Sequence, residues 1–379
     1  MGNPKLGGLA AKVVAIGVIA CLIAVAWTAV TETDARPTAT SSPIVGPGAQ
    51  SSPTSNCLVG EAWDAYAEER IAMWDQPAIE KPIDAAGGTY EFVDAKASYE
   101  EQATQIDAFV AEGAKVILVR AVDTVEIIPA VERAAAAGVP VIVYDRLVDS
   151  PKALLVAFDP VEIGRMEARA ILAARPKGNY VIIKGHPQGQ LEPDLIASGI
   201  REVLQPAIDK GDIKVVAETY TMNWDPATAQ TEMETILSES HNKIDAVISE
   251  DDNMAGGVVA ALKEVGLDGK VAVAGQGGDM WGLNRVALGT QTVDVWPDPR
   301  LMGKAAGDAA VALCKNPDIS KLKGTTLYSP PGHNQIPSLL LAPQAIAKDN
   351  LNVVVDAGWT TRDDLCANID PSKAPPACR

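Results

Sequence analysis

At 379 residues the chain is long enough for two domains of ordinary size, each with its own apolar core. Apolar residues make up 47% and charged residues 21%, a globular balance, and 49 acidic against 32 basic side chains give a formal net charge of −17. That excess opposes a phosphate backbone, whose binding needs clustered Lys and Arg, so nucleic acid is excluded as a partner.

The amino terminus reads as a targeting segment. Lys5 and Lys12 precede an uncharged apolar stretch, 13–30, of about the length that crosses a bilayer. Three fates stay open within residues 1–30. Val18-Ile19-Ala20-Cys21 fits a lipoprotein cleavage site with Cys21 acylated, Ala24-Val25-Ala26 is a competing signal-peptidase pattern, and the apolar run past Cys21 fits an uncleaved anchor. All three place the protein outside the cytoplasmic membrane, held to it only through this segment. Residues 31–56 are rich in Ser, Thr, Pro and Gly and read as a flexible tether.

From Cys57 onward short β-branched runs alternate with helical periodicity. Strands are expected at 58–62, 90–93, 116–119, 141–144 and 154–158, with helices such as 99–112 and 125–137 between them. A second series follows at 180–183, 213–217, 246–248, 271–274 and 292–295, and 301–314 is again helical. Two βαβ sets in tandem predict two doubly wound, Rossmann-like α/β lobes with a cleft between them. Boundaries are expected near Phe158-Asp159-Pro160 and in 295–299.

Several strands stop on charged or polar residues: Arg120, Asp145-Arg146, Glu250 to Asn253, and Gln276 with Asp279. In open α/β sheets the ligand crevice lies outside the carboxyl ends of the strands, so these residues are candidates for binding. Cys57 opens the first strand and Cys314 closes a helix that runs back from the cleft. Both therefore belong at the far end of a lobe, which favours the disulfides Cys57–Cys314 and Cys366–Cys378 in an exported chain.

Gly275-Gln276-Gly277-Gly278 follows a strand and precedes a helix, but matches neither dinucleotide nor P-loop spacing and reads as a tight turn. His186, His241 and His333 share no metal-ligand spacing. No cofactor or metal is expected.

The stretches GEAWDAYAEER, GVPVIVYDR, FDPVEIGRMEA, NKIDAVISEDDNMAGG, GLDGKVAVAGQGGD, ALGTQTVDV and IPSLLLAP occur in unbroken order. With them the chain resembles the type I periplasmic sugar-binding proteins of bacterial ABC transporters, those for D-xylose above all. The resemblance implies two lobes joined by three hinge crossovers that close on a monosaccharide. It implies 57–160 with 296–335 as the first lobe, 161–295 with 336–366 as the second, and 367–379 as a tail.

Carried over position by position, the resemblance makes Arg70 and Arg146 donors to sugar oxygens, with Asp145 either touching ligand or orienting Arg146. Trp224 would pack on the sugar ring. Asp251 stands where the family has asparagine, an acceptor retained and a donor lost. Asp279, Gln276, Trp63 and Trp296 complete the candidate set. Departures are Gly277 for an acidic residue, Pro297 for a lysine, and Gly189-Gln190-Leu191-Glu192 in place of a polar contact loop. These leave xylose itself an open question among sugars and polyols, with Trp281 and Trp296 as bulk that fills the cleft or as core.

The function expected is that of a monomeric carrier, not an enzyme, which delivers a monosaccharide or polyol to an ABC-transporter permease. A sensor that presents the ligand to a membrane receptor or histidine kinase is the alternative. A glycosidase using Asp145 and Asp251 would need one raised carboxyl pKa, and an arginine beside each is expected to lower both instead.

Overall fold

The structure is a computed structural model that describes residues 57–379 apart from Glu69. The leader 1–30, the tether 31–56 and Cys21 lie outside the described residues.

The first sheet contains β1 (Leu58–Trp63), β2 (Thr89–Asp94), β3 (Val116–Val119), β4 (Val141–Tyr144) and β5 (Leu154–Phe158). The second contains β6 (Gly178–Lys184), β7 (Ile213–Tyr220), β8 (Ala246–Ser249), β9 (Ala272–Gln276) and β10 (Val293–Trp296). Three late strands complete them: β11 (Thr326–Tyr328), β12 (Ile336–Leu341) and β13 (Gln344–Ala347). The sheet orders are β11-β12-β5-β4-β3-β1-β2 and β13-β10-β9-β8-β6-β7, parallel throughout except for β11 on β12 and β13 on β10. Every strand expected from periodicity in the two tandem sets is present, within a few residues at its ends.

Residues 336–341, expected in the second lobe, belong to the first. Ser338 pairs with Leu155 and Leu341 with Phe158, parallel to β5. An apolar run announces a strand, but which sheet edge it joins depends on the whole fold. The chain thus crosses between lobes after β5, after β10 and in the short link from β12 to β13.

Alternation along each strand sends side chains to both faces. In the first lobe Val59, Trp63, Leu118, Ile142 and Tyr144 pack under the helices Gln76–Ala85 and Pro299–Lys315, while Ala62, Ile117, Val119 and Val143 face Tyr99–Glu112 and Ile128–Ala136. In the second, Val181, Ile183, Val247 and Val273 meet helices Pro226–Glu239 and Asp252–Glu264, and Tyr180, Ile182 and Ile248 meet Pro160–Ala174 and Glu192–Asp209. Each such buried aliphatic contributes about 1.5–3 kcal/mol against exposure.

Cys57 is bonded to Cys314 at the end of the lobe opposite the cleft, and Cys366 to Cys378, which ties the tail to the segment before it. Both pairings are the expected ones, the first following from the direction of the strands.

Candidate functional site: a cleft between the lobes

Parallel strands of both lobes end at one cleft of about 740 Å³. Arg70, Asp145, Arg146, Trp224, Asp251, Gln276 and Asp279 all line it. So do Arg120 and Asn253, strand-end candidates, and residues that the sequence did not single out as ligand contacts, among them Gln190, Glu192, Trp74 and Trp359.

The first lobe supplies a wall of arginines locked by carboxylates. After β4 the chain turns at Asp145, whose φ of 69° is left-handed, a conformation that short polar side chains tolerate and that recurs at ligand sites. Arg120, at the end of β3, is buried and donates through Nε to Asp145 (2.9 Å) and through Nη1 to Asp64 (2.8 Å) and Glu68 (3.0 Å). Arg70 pairs with Asp75 through Nε (3.0 Å) and faces Asp145 through Nη1 (3.4 Å). It stands at the head of a widened helical turn, Ile71–Asp75, of the kind that re-aims side chains at functional sites. Burial alone would raise the Asp145 pKa, but Arg70 and Arg120 outweigh it and hold the carboxyl well below its ordinary range.

Asp145 therefore orients Arg120 and Arg70. Arg146 is held by a different residue, Asp64, at 2.7 Å, and by the Ala121 carbonyl at 2.8 Å, both through Nη1. No described residue takes the N–H groups of its Nε or Nη2, which leaves donors for a ligand.

The second lobe supplies the complementary wall, a set of acids with no arginine bonded to them. Asp251 caps helix Asp252–Glu264 by accepting from Met254 N–H (2.9 Å). Burial, with Asp252 and Asp279 nearby and only backbone N–H groups opposing, pushes its pKa up to about 8. Burial and Asp252 raise Asp279 to about 6, and burial with Asp145 raises Glu192 to about 7. This corrects the expectation that an arginine lowers Asp251. It also restores the donor that replacing asparagine seemed to remove, because a protonated carboxyl donates as well as accepts.

Trp224 is the aromatic face. It sits in a strained turn, with Asn223 at φ 58° and Trp224 at φ 55°, fixed by Asn223 N–H donating to His186 Nδ1 (3.0 Å). Its indole N–H donates to Gln190 Oε1 (3.0 Å), so the replaced contact loop positions the ring. Gly185 allows this: a Cβ there would lie 2.0 Å from the ring.

Two candidates are not in the cleft wall. Trp63 is fully buried, edge-on to Tyr144 at 5.7 Å between ring centres. As the last residue of β1 it shares the face of Val59 and so turns into the core beneath helices Gln76–Ala85 and Pro299–Lys315. Trp296 is 4% exposed and packs beneath the turn that carries Gly278, whose added Cβ would meet the indole at 2.2 Å. It supports the cleft floor from behind, whereas Trp281 lines the cleft and is 65% exposed. The turn's own N–H groups are engaged: Gly277 with Val295 O (3.0 Å), Gly278 with Asp294 (3.0 Å) and Asp279 with Asp252 (3.1 Å). This is the tight turn read from its spacing, flanked by carboxylates that repel a phosphate.

Two doubly wound lobes with a donor wall on one, an acceptor wall on the other and an aromatic face between them define a solute-binding protein. A model of the periplasmic binding protein domain matches residues 64–318, and the chain belongs to that family. It is 32% identical over 305 residues to the D-xylose-binding periplasmic protein of Escherichia coli (strain K12), covering 79% of this chain and 91% of that one. It is 31% identical over 264 residues to the xylitol-binding protein of Mycolicibacterium smegmatis, covering 69% of each. Among solved structures, an ABC transporter solute-binding protein from Clostridium phytofermentans with bound β-D-glucose superposes with a TM-score of 0.70 at 25% identity, over 81% of this chain and 99% of that one.

Proposed function

We propose that this protein captures a neutral monosaccharide or polyol in the interlobe cleft, outside the cytoplasmic membrane, and delivers it as a monomer to an ABC-transporter permease. The observation that carries this reading is the split of chemistry between the lobes. Arg70, Arg120 and Arg146 offer donors from one side, Asp251, Asp279 and Glu192 offer acceptors and protons from the other, and Trp224 offers a face for C–H groups. Hydroxyls use both walls at once. Contacts from both lobes supply the differential affinity that closure requires.

The relatives support a sugar or polyol as the class of ligand. The apolar segment 13–30 and the tether 31–56 support export and attachment at the membrane face.

The test is calorimetry of the full-length protein against pentoses, hexoses and polyols, xylose and xylitol included. At least one is expected to bind with Kd at or below about 10 μM, or about −7 kcal/mol, and Trp224→Ala is expected to weaken it. Failure of every one to bind would refute the reading.

A further inference from the structure

The cleft is larger than a single sugar ring needs. A water occupies about 30 Å³ of liquid, so the space of about 740 Å³ has room for roughly 25 waters. A hexose has about 12 non-hydrogen atoms, each needing no more room than a water, and so fills less than about half of it. The lobes touch at two places in this conformation. Thr124 N–H donates to the Gly189 carbonyl at 2.8 Å. Elsewhere Trp74 packs on Trp359 with ring centres 5.1 Å apart, and Arg300 Nη1 donates to the Ala357 carbonyl at 3.0 Å.

The lining of the cleft is not chemically uniform. The polar walls are built at Asp145-Arg146 and Asp251. Beside the crossover after β10 the lining is instead Trp74, Trp281 and Trp359, with Met73, Met280 and Pro297. Gly277 and Pro297 bring no polar side chain to that end. Trp281 is 65%, Met73 51% and Met280 37% exposed, although the chain has only 7 tryptophans and 8 methionines. Exposed apolar side chains gathered in a concave site mark a surface meant to be covered. Trp74 and Trp359 already pack on each other, whereas Trp281 stacks on no described aromatic ring.

We infer that this end is a second subsite, and that the ligand is a glycoside whose first ring occupies the polar pocket and whose second ring lies against Trp281. The inference rests on the sugar-binding reading above. It goes beyond that reading by assigning a substituent on the sugar. The shared chemistry of the second ring is a flat face, either the C–H face of another sugar or the π face of an aryl group, either of which suits indole.

Calorimetry on the full-length protein separates the possibilities. The best-binding monosaccharide is compared with its phenyl glycoside and with a disaccharide that carries it at the non-reducing end. At least one of the two-ring ligands is expected to bind tenfold or more tightly than the single ring, and which one does identifies the source of the second ring. Trp281→Ala should bring that ratio to about one, and Trp281→Phe should restore most of it. Two-ring ligands that bind no better than the monosaccharide would overturn the subsite and leave the sugar reading standing. A Trp281→Ala variant that weakens one-ring and two-ring ligands by the same factor would also overturn it. Absence of binding by either kind would remove the sugar reading itself.

Discussion

Gly185→Ala tests how the cleft prepares its aromatic face. Gly185 follows β6, its backbone lies outside the left-handed region, and an added Cβ would lie 2.0, 2.2 and 2.3 Å from three atoms of the Trp224 ring. Alanine is thus sterically blocked by the indole. Ordinary carbon contacts lie near 3.5–4.0 Å, so the ring must move by about 1.5–2 Å. Two restraints resist. The indole N–H is bonded to Gln190, a bond with a net value of about 1 kcal/mol, and the strained Asn223-Trp224 backbone is pinned by His186. Overpacking of this kind costs about 1–3 kcal/mol of stability.

If Trp224 packs on the ligand as proposed, a ring displaced by that distance loses the contact, and affinity should fall by about 10–100-fold, or about 1.4–2.8 kcal/mol. Urea unfolding and calorimetry with the best-binding sugar measure the two effects. The three closest contacts all belong to the indole, so Gly185→Ala in a Trp224→Ala background should cost much less, giving a coupling above about 1 kcal/mol. A Gly185→Ala protein with unchanged stability and affinity, or a coupling below about 0.5 kcal/mol, would refute the reasoning.

Three further outcomes follow from the structure. Arg120→Met leaves Asp64, Glu68 and Asp145 without their shared buried cation and should cost about 3–5 kcal/mol in denaturant unfolding; retention of wild-type stability would show that the carboxylates do not need it. Glu192, Asp251 and Asp279 have folded pKa values raised to about 7, 8 and 6, so the folded chain holds protons that the unfolded chain releases near pH 4. Their contribution is full below about pH 4 and is lost as pH rises through 6 to 8, and the buried Glu61, Glu167, Glu250 and Asp294 act in the same direction. Urea midpoints should therefore fall between pH 5 and 8.5, less steeply in Asp251→Asn; an equal slope in that variant would contradict the raised Asp251. Replacing Cys57 and Cys314 together by serine releases a loop closed over 257 residues and should destabilise by about 2–5 kcal/mol, as read by the shift in Tm against the Cys366–Cys378 double serine variant, whose loop spans only 12 residues.

Much of the molecule is written locally. Buried parallel strands are continuous apolar runs and their crossover helices carry a 3.6-residue period, so the two lobes can be read from the chain alone. The carboxyl-end rule brings Asp145, Arg146, Asp251, Gln276 and Asp279 to one cleft for the same reason: chain direction decides which end of a strand a residue occupies. Direction also favours the Cys57–Cys314 pairing, which leaves Cys366 to Cys378.

Tertiary structure alone decided what depends on a side chain's face, partner or surroundings. Trp63 and Trp296 stand at strand ends like the cleft residues, but a one-residue difference in position turns a side chain to the other face of the sheet, and both went to the core. Strand β12 joined the first sheet because the open edge of β5 received it. Arg146 found Asp64, a partner 82 residues away, and not its neighbour Asp145. The protonation of Asp251 is the clearest case. Sequence supplies a carboxyl, but its pKa is set by how much water and how much opposite charge the assembled cleft leaves around it, and no local pattern encodes either.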